Sequence, residues 1–464
     1  MNDVPDVKAA APLAARALQQ WYGADGYARR TGLYSYEDPK LAVHWANVSQ
    51  FGRNLLNSAL MLSGQRDRMQ DLSRWWTSAN AITALVGYMA VTGDRSYLAP
   101  VVANTFDRAP GTRRPVLAQR MSPSWPFFRF SRGAYPGFIN AFYDDEGWWA
   151  LAWLDAYDLT GEEKYLAAAK DIFLDMAAGW DDYWGGGIYW GKHDGRPDTA
   201  GASAVPRGWA VGYKNAIANE LFIAVAAGLG LRYRNRGPAA PGSASTGSAN
   251  TGSANTGQPD YLDWARRGWA WFSSARPAGV AMINEAGLVN DSPNQHGVND
   301  NTQSVWSYNQ GVILSGLREL TELTGDQAYL GWAEKIADAF IKNPWRPRAA
   351  AGGQAHPSES GVIDGILHEH NDCGPGGCAP PRPPGVDTVM FKGIFVRHLA
   401  RLQAKTGKPA YQQFITANAR SALAHMNEQH LFGANWAAPA DATDFVRQTA
   451  GLDLINAALQ VTES

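Results

Sequence analysis

One short phrase recurs five times along the chain: TGDRSYL from Thr92, TGEEKYL from Thr160, TGQPDYL from Thr256, TGDQAYL from Thr324 and TGKPAYQ from Thr406. Each copy places a Tyr five residues after its Thr, at Tyr97, Tyr165, Tyr261, Tyr329 and Tyr411. The phrase has the chemistry of a corner between two helices. Its Gly supplies the left-handed residue that ends one helix, and the polar residue after it caps the next. Downstream the apolar residues fall on one side: Tyr165, Leu166, Ala169, Ile172, Phe173 and Met176 after the second copy, the stripe of a surface helix. Upstream segments, such as Trp148 to Leu159 and Asn215 to Leu231, are apolar nearly all round. Such helices must be buried on every side.

One further amphipathic helix (about Ala9 to Tyr22) precedes the set and one further apolar helix (about Ala442 to Gln460) closes it. Six inner and six outer helices make an (α/α)6 barrel, an all-α single domain spanning 1–464. No strand-like alternation is long enough to compete. The third corner is interrupted by residues 237–258, a Ser/Thr/Gly/Asn/Ala tract of flexible composition. Removing it brings the longest spacing between corners into line with the others, so it is an insertion in one corner rather than a domain boundary.

The connections are lopsided. Apart from that insertion, inner-to-outer corners are short, whereas outer-to-inner connections run roughly over 23–74, 107–143, 179–212, 275–306, 343–389 and 428–441. Unstructured connections beyond about 12–15 residues are uncommon unless they serve function. All six emerge at one end of the barrel, which is therefore the functional face. The inner helices begin there with Trp75-Trp76, Asp144-Asp145, Lys214-Asn215, Tyr308-Asn309-Gln310, Phe391-Lys392 and the Asp441/Asp444 region preceded by Trp436.

Composition sharpens this. With 41 basic and 43 acidic residues the net charge is −2, which argues against a nucleic-acid or anionic-membrane partner. No run reaches the about 18 apolar residues of a membrane span. Met1-Asn-Asp-Val-Pro carries neither a basic start nor an apolar stretch, so a cytoplasmic location is expected as the chain stands, and a periplasmic or secreted one if the N-terminus is processed. The outlier is aromatic content: 19 Trp, 18 Tyr and 16 Phe, with most of the Trp in the long loops or at inner helix starts. Aromatic faces stack on sugars while carboxylates and amides bind hydroxyls. A monomeric carbohydrate-active protein is expected. Its sugar contacts are Trp76, Tyr143, Trp148, Trp190, Lys214, Asn215, Tyr308, Asn309, Gln310 and Lys392.

Asp144-Asp145, within FYDDEGWWALAW, is the pair suited to chemistry. Glycoside hydrolysis uses one ionised and one protonated carboxyl, about 5–5.5 Å apart in a retaining mechanism. Neighbours in a first helical turn reach that separation. The helix N-terminus favours the ionised member, while repulsion and surrounding Trp raise the other. The plain alternative is an N-cap Asp followed by a first-turn acid, and position among aromatics on the loop-rich face outweighs it. Asp181-Asp182, after an outer helix, reads as a loop cap or a sugar contact. Lys214 and Lys392 either bind substrate or neutralise buried acids, and one Trp of each adjacent pair lines the cleft while the other fills the barrel. His368-Glu369-His370 with Cys373 and Cys378 matches no strong zinc spacing. The two cysteines form either a loop disulfide or free thiols.

YDDEGWWALAWLDAYDLTG, GGGIYW, KNAIANELF, SYNQGVILSGLRELTELTGD and FKGIFVRHLARL resemble, in order, the signature blocks of glycoside hydrolase family 76, the bacterial and fungal α-1,6-mannanases. The resemblance covers about Trp75 to Leu459. It implies an (α/α)6 barrel and retaining endo-hydrolysis of α-1,6-linked mannan or manno-oligosaccharide without metal or cofactor. Asp144 would be the nucleophile and Asp145 the acid/base. The DGILHEHNDCGPGGC loop and Asp387 resemble a family segment with an acid and paired cysteines, adding Asp387 to the substrate contacts. Other readings of this fold are a sugar epimerase or uronide hydrolase, or a mannoside-binding protein without turnover.

Overall fold

The computed structural model describes residues 6–23, 31–34, 67–110, 135–192, 212–235, 259–275, 279–294, 296–344, 360–369 and 387–463. The 237–258 insertion, His370, Cys373 and Cys378 lie outside them. The inner helices are α2 (Asp67–Thr92), α4 (Tyr143–Thr160), α6 (Ala216–Arg234), α8 (Ser307–Thr324), α10 (Phe391–Thr406) and α12 (Phe445–Glu463). The outer ones are α1 (Val7–Leu18), α3 (a π-turn Leu98–Ala103 running into Asn104–Arg108), α5 (Glu163–Ala178), α7 (Tyr261–Ser273), α9 (Gln327–Phe340) and α11 (Pro409–His425). Each inner helix packs on the next, and α12 packs back on α2, closing the ring. The fold is the (α/α)6 barrel. Among the described residues the only paired strands are the hairpin β1 (Gly361–Ile363) and β2 (Ile366–His368).

The repeated phrase does more than its Gly accounts for. Gly93, Gly161, Gly325 and Gly407 all take left-handed φ between 66° and 77°, ending their helices where a side chain would be strained. The Thr before each is the second half of the device. Thr92, Thr160, Thr324 and Thr406 donate their hydroxyls to the carbonyls of Tyr88, Ala156, Leu320 and Leu402, 2.7–3.0 Å away. Each hydroxyl also accepts the N–H two residues on, from Asp94, Glu162, Asp326 and Lys408. One hydroxyl thus ties the last helical turn to the corner. Asp326 then caps the next helix through Ala328.

Ring closure depends on close backbone approach. A side chain at Gly393 would put its Cβ 2.5 Å from Ala450 Cα, and one at Gly311 would lie 2.8 Å from Phe395 Cα. Helix α6, buried without a break from Ala216 to Leu229, is long and apolar enough for a bilayer but is enclosed here by its neighbours. Towards the corner end the lumen is filled by charge. Arg401 of α10 meets Asp155 of α4, opposite it in the ring, at 2.5 Å. Arg397 meets Asp453 of α12 at 3.2 Å and Asn80 of α2 at 2.7 Å. These pairs tie α2, α4, α10 and α12 together across the lumen at that end.

Candidate active site

The two central aspartates sit in the first turn of α4, and the chain reaches that turn in a fixed direction. Phe142 is extended and bridges to Gly191, Tyr143 donates its N–H to the Trp190 carbonyl at 2.9 Å, and Lys192 donates to the Ala141 carbonyl at 2.9 Å. The 188–192 segment is itself held by α6. The Asn219 amide accepts the Ile188 N–H at 2.8 Å and donates to the Ile188 carbonyl at 2.9 Å. Asp144 then receives two donors: the Asp145 N–H on Oδ1 at 2.9 Å and the Trp190 indole N–H on Oδ2 at 2.8 Å. Asp145 receives one side-chain donor, Asn140 Nδ2, on Oδ2 at 2.6 Å. Behind them Glu146 is fully buried; its Oε1 accepts the Asn140 N–H at 2.8 Å and pairs with Lys192, which also pairs with Asp175 at 2.5 Å.

Burial dominates the electrostatics. It pushes Asp144 up to about 6, against the pull of the Trp190 and Asp145 N–H groups, with the Asp291 charge adding to the rise. Asp145 is held well above the usual carboxylate range by burial and then by the Asp144 charge. Asp387 is pushed to about 7 by burial and by Asp144, and burial also raises Asp291. Glu146 rises to about 9 because burial outweighs Lys192. Carboxyls this close cannot all be ionised together. The one with two N–H donors, Asp144, is the better anion, and Asp145 is the better acid.

Four inner helices supply an aromatic wall, three from their first two turns and α2 from its third, since α2 begins at Asp67 rather than at Trp75 as the sequence reading expected. Trp76 lies 6.0 Å from Trp148 and 6.2 Å from Phe391 between ring centres, Trp148 lies 6.4 Å from Tyr308, and Tyr308 stacks on Phe391 at 3.8 Å. The Tyr308 phenol is raised by burial and then by the Asp291 and Asp144 charges. Trp75 and Trp149 instead pack on each other at 4.9 Å, between helices.

Other residues from the sequence reading hold loops. The buried Lys214 ammonium donates to Asp181 Oδ1 at 2.6 Å and to the carbonyls of Tyr183, Gly186 and Gly187 at 2.7–3.0 Å, which knots the loop after α5. Asp181 caps the Tyr183 N–H in that loop. Lys392 donates to the Ala434 carbonyl at 2.5 Å and lies over the Trp436 ring. Gln310 clamps Val289 as Asn219 clamps Ile188, accepting its N–H and donating to its carbonyl, both at 2.8 Å. Asn215 caps α6 through Ala218, and Tyr143 packs towards Gly179 with Lys192 over its ring. Asn309 reaches Asp291 at 3.3 Å. Glu369 of the His-rich segment accepts the hydroxyls of Ser307 and Ser360, binding the hairpin to the start of α8.

Asp291 and Asn140 escaped the sequence reading. Asp291 accepts the Tyr213 hydroxyl at 2.8 Å, and its carbonyl accepts the Ala216 N–H at 2.7 Å, at the start of α6. Nothing local separates it from other loop acids. Asn140 could have been suspected from its place just upstream of the Asp pair.

The sequence profile described as Glycosyl hydrolase family 76 matches residues 47–464. The chain belongs to that family. Among curated relatives of this family 76 chain, Mannan endo-1,6-alpha-mannosidase DCW1 of Saccharomyces cerevisiae is 25% identical over 311 residues, covering 63% of this chain and 54% of its own. The chain thus spans about half the length of the curated relatives it matches. Among solved structures, an inactive variant of alpha-1,6-mannanase GH76A of Salegentibacter sp. HEL1_6 in complex with alpha-1,6-mannotriose superposes with a TM-score of 0.62. It is 18% identical, and the match covers 97% of this chain and 99% of that one. Dfg5 from Chaetomium thermophilum in complex with glucosamine superposes with a TM-score of 0.61 at 17% identity, over 98% of this chain and 90% of that one. At these identities the family 76 structures bear on the barrel alone.

Proposed function

We propose that this family 76 protein is a retaining endo-α-1,6-mannosidase. The observation that carries the reading is the unequal pair at the mouth of the barrel: Asp144 with two N–H donors, Asp145 buried beside it with a single side-chain donor. In the first step an Asp144 oxygen attacks the anomeric carbon while Asp145 gives its proton to the glycosidic oxygen. The bond between that oxygen and C1 breaks, the departing chain carries the proton away, and a mannosyl ester forms on Asp144. In the second step water attacks the same carbon, Asp145 takes its proton, and the ester bond breaks. Trp76 and Trp148 are buried and Tyr308 is half-buried, so in this reading a mannose ring meets the Tyr308 side of the aromatic wall while the two Trp back it. The names of the relatives, mannan endo-1,6-alpha-mannosidases, support α-1,6-mannan as the substrate class.

The test is hydrolysis of linear α-1,6-mannan, with the anomer of the first product read by proton NMR. The α-anomer and shorter oligosaccharides are expected, with Asp144→Ala and Asp145→Ala reduced at least about 100-fold. Variants as fast as the parent would remove the pair from the mechanism. A first-formed β-anomer would replace retention by inversion.

A further inference from the structure

The acid/base role proposed for Asp145 leaves open which of its two oxygens carries the transferable proton, and the residue upstream of α4 answers that. Asn140 donates Nδ2–H to Asp145 Oδ2 at 2.6 Å in a buried setting. The amide cannot be turned the other way, because its own Oδ1 accepts the Phe142 N–H at 2.9 Å and an amide nitrogen has nothing to offer that donor. The Asn140 backbone is fixed in turn, its N–H given to Glu146 Oε1 at 2.8 Å, and Glu146 is anchored by Lys192. The string Lys192–Glu146–Asn140–Asp145 thus runs from a partly exposed ammonium to the acid. The titratable groups facing Asp145 are Asp144 and Glu146 on its own helix and Asp387 from the lead-in to α10.

We propose that Asn140 is a positioning residue: by occupying Oδ2 of Asp145 as a hydrogen-bond donor, it confines the transferable proton to Oδ1 and holds that oxygen in one orientation. The inference rests on the acid/base reading of Asp145. In the glycosylation step the O–H bond that breaks is on Oδ1, its proton passes to the glycosidic oxygen, and the electron pair stays on a carboxylate whose Oδ2 is already solvated by the amide. In the return step the same Oδ1 takes the proton of the attacking water. Without Asn140 the carboxyl can turn, or can place its proton on the oxygen that faces the protein.

The test compares a substrate that needs the acid with one that does not. Asn140→Ala should lower kcat/KM for α-1,6-mannotriose about 10- to 100-fold, the cost of a misdirected general acid. For the dinitrophenyl glycoside of α-1,6-mannobiose, whose leaving group departs without a proton, kcat/KM should change less than about threefold. The alkaline limb of the mannotriose profile should also move to higher pH, since a donor that favours the Asp145 carboxylate is gone. Asn140→Asp keeps the acceptor for the Phe142 N–H but replaces the donor by an acceptor. It should give the same split, and it carries the test if the alanine variant does not fold. Equal losses on both substrates, no loss on either, or an unmoved alkaline limb would each overturn the proposal. If the parent cleaves neither substrate, the function reading fails and takes this inference with it. Asp145→Ala made alongside separates the remaining case, in which the acid is confirmed but Asn140 is dispensable.

Discussion

Replacing Trp190 by Phe removes one N–H and leaves the ring, so it isolates the hydrogen bond to Asp144. The indole N–H lies 2.8 Å from Asp144 Oδ2, and the ring packs 4.9 Å from Phe142 and 6.0 Å from Tyr213, contacts a phenyl ring largely keeps. A hydrogen bond to a charged acceptor contributes about 1.5–3 kcal/mol. At about 1.4 kcal/mol per pH unit, its loss raises the carboxyl by about 1 to 2 units. Asp144 keeps some solvent contact, and water replaces part of the lost donor, so the lower end applies. Its midpoint then moves from about 6 to near 7. The sign follows from the mechanism. Asp144 attacks as the carboxylate, the donor favours that form, and without it the acidic limb of kcat/KM shifts upward. At pH 6 the rate on α-1,6-mannan falls about fivefold, and at pH 8 by less than about twofold. The assay is initial rates across pH 4.5–9 below KM. A limb that stays put or moves down refutes the reasoning. A loss equal at every pH, with KM raised, returns Trp190 to the sugar-stacking role expected from the sequence.

Three further outcomes are expected. Lys214→Met removes the knot of the 181–187 loop, taking the ammonium from the Gly186 and Gly187 carbonyls and from Asp181, and should destabilise the fold by about 3 kcal/mol in urea titration; a change under about 1 kcal/mol would mean that other contacts hold the loop. Gly393→Ala forces a methyl to 2.5 Å from the Ala450 Cα and should cost about 1–3 kcal/mol, with an unchanged melting temperature as the contrary result. Asp387→Asn should stabilise the protein more at pH 7.5 than at pH 4. The acid's folded value is raised to about 7, so the parent loses stability as pH climbs from the unfolded value near 4 towards 7, and the amide removes that slope. Parallel melting curves for parent and variant across this range would contradict it.

The helical layers were legible because both their signals are local. The 3.6-residue period separates helices wet on one side from those buried all round, and a Gly after a Thr ends four of the six inner helices, at Gly93, Gly161, Gly325 and Gly407, wherever the chain later goes. The position of Asp144-Asp145 at the open end followed from loop lengths alone. The role of individual side chains did not. Lys214 and Gln310 stand at inner helix starts like Tyr308, yet the first knots the 181–187 loop and the second clamps Val289. Residue type and helix register leave both uses open, and the choice turns on where a loop some 20 to 30 residues away lays its carbonyls.

The same division holds for the whole molecule. Periodicity and corner chemistry dictated twelve helices in two layers, the end on which long loops gather and the acids that end presents. Folding in three dimensions decided what no window of sequence contains: that Trp190 gives its N–H to Asp144, that Asn140 takes one oxygen of Asp145, and that Arg401 and Asp155 close the barrel from opposite walls. Hydrophobic periodicity is a property of neighbours along the chain, whereas a carboxyl's proton affinity is set by burial and by donors that only the folded chain brings within 3 Å.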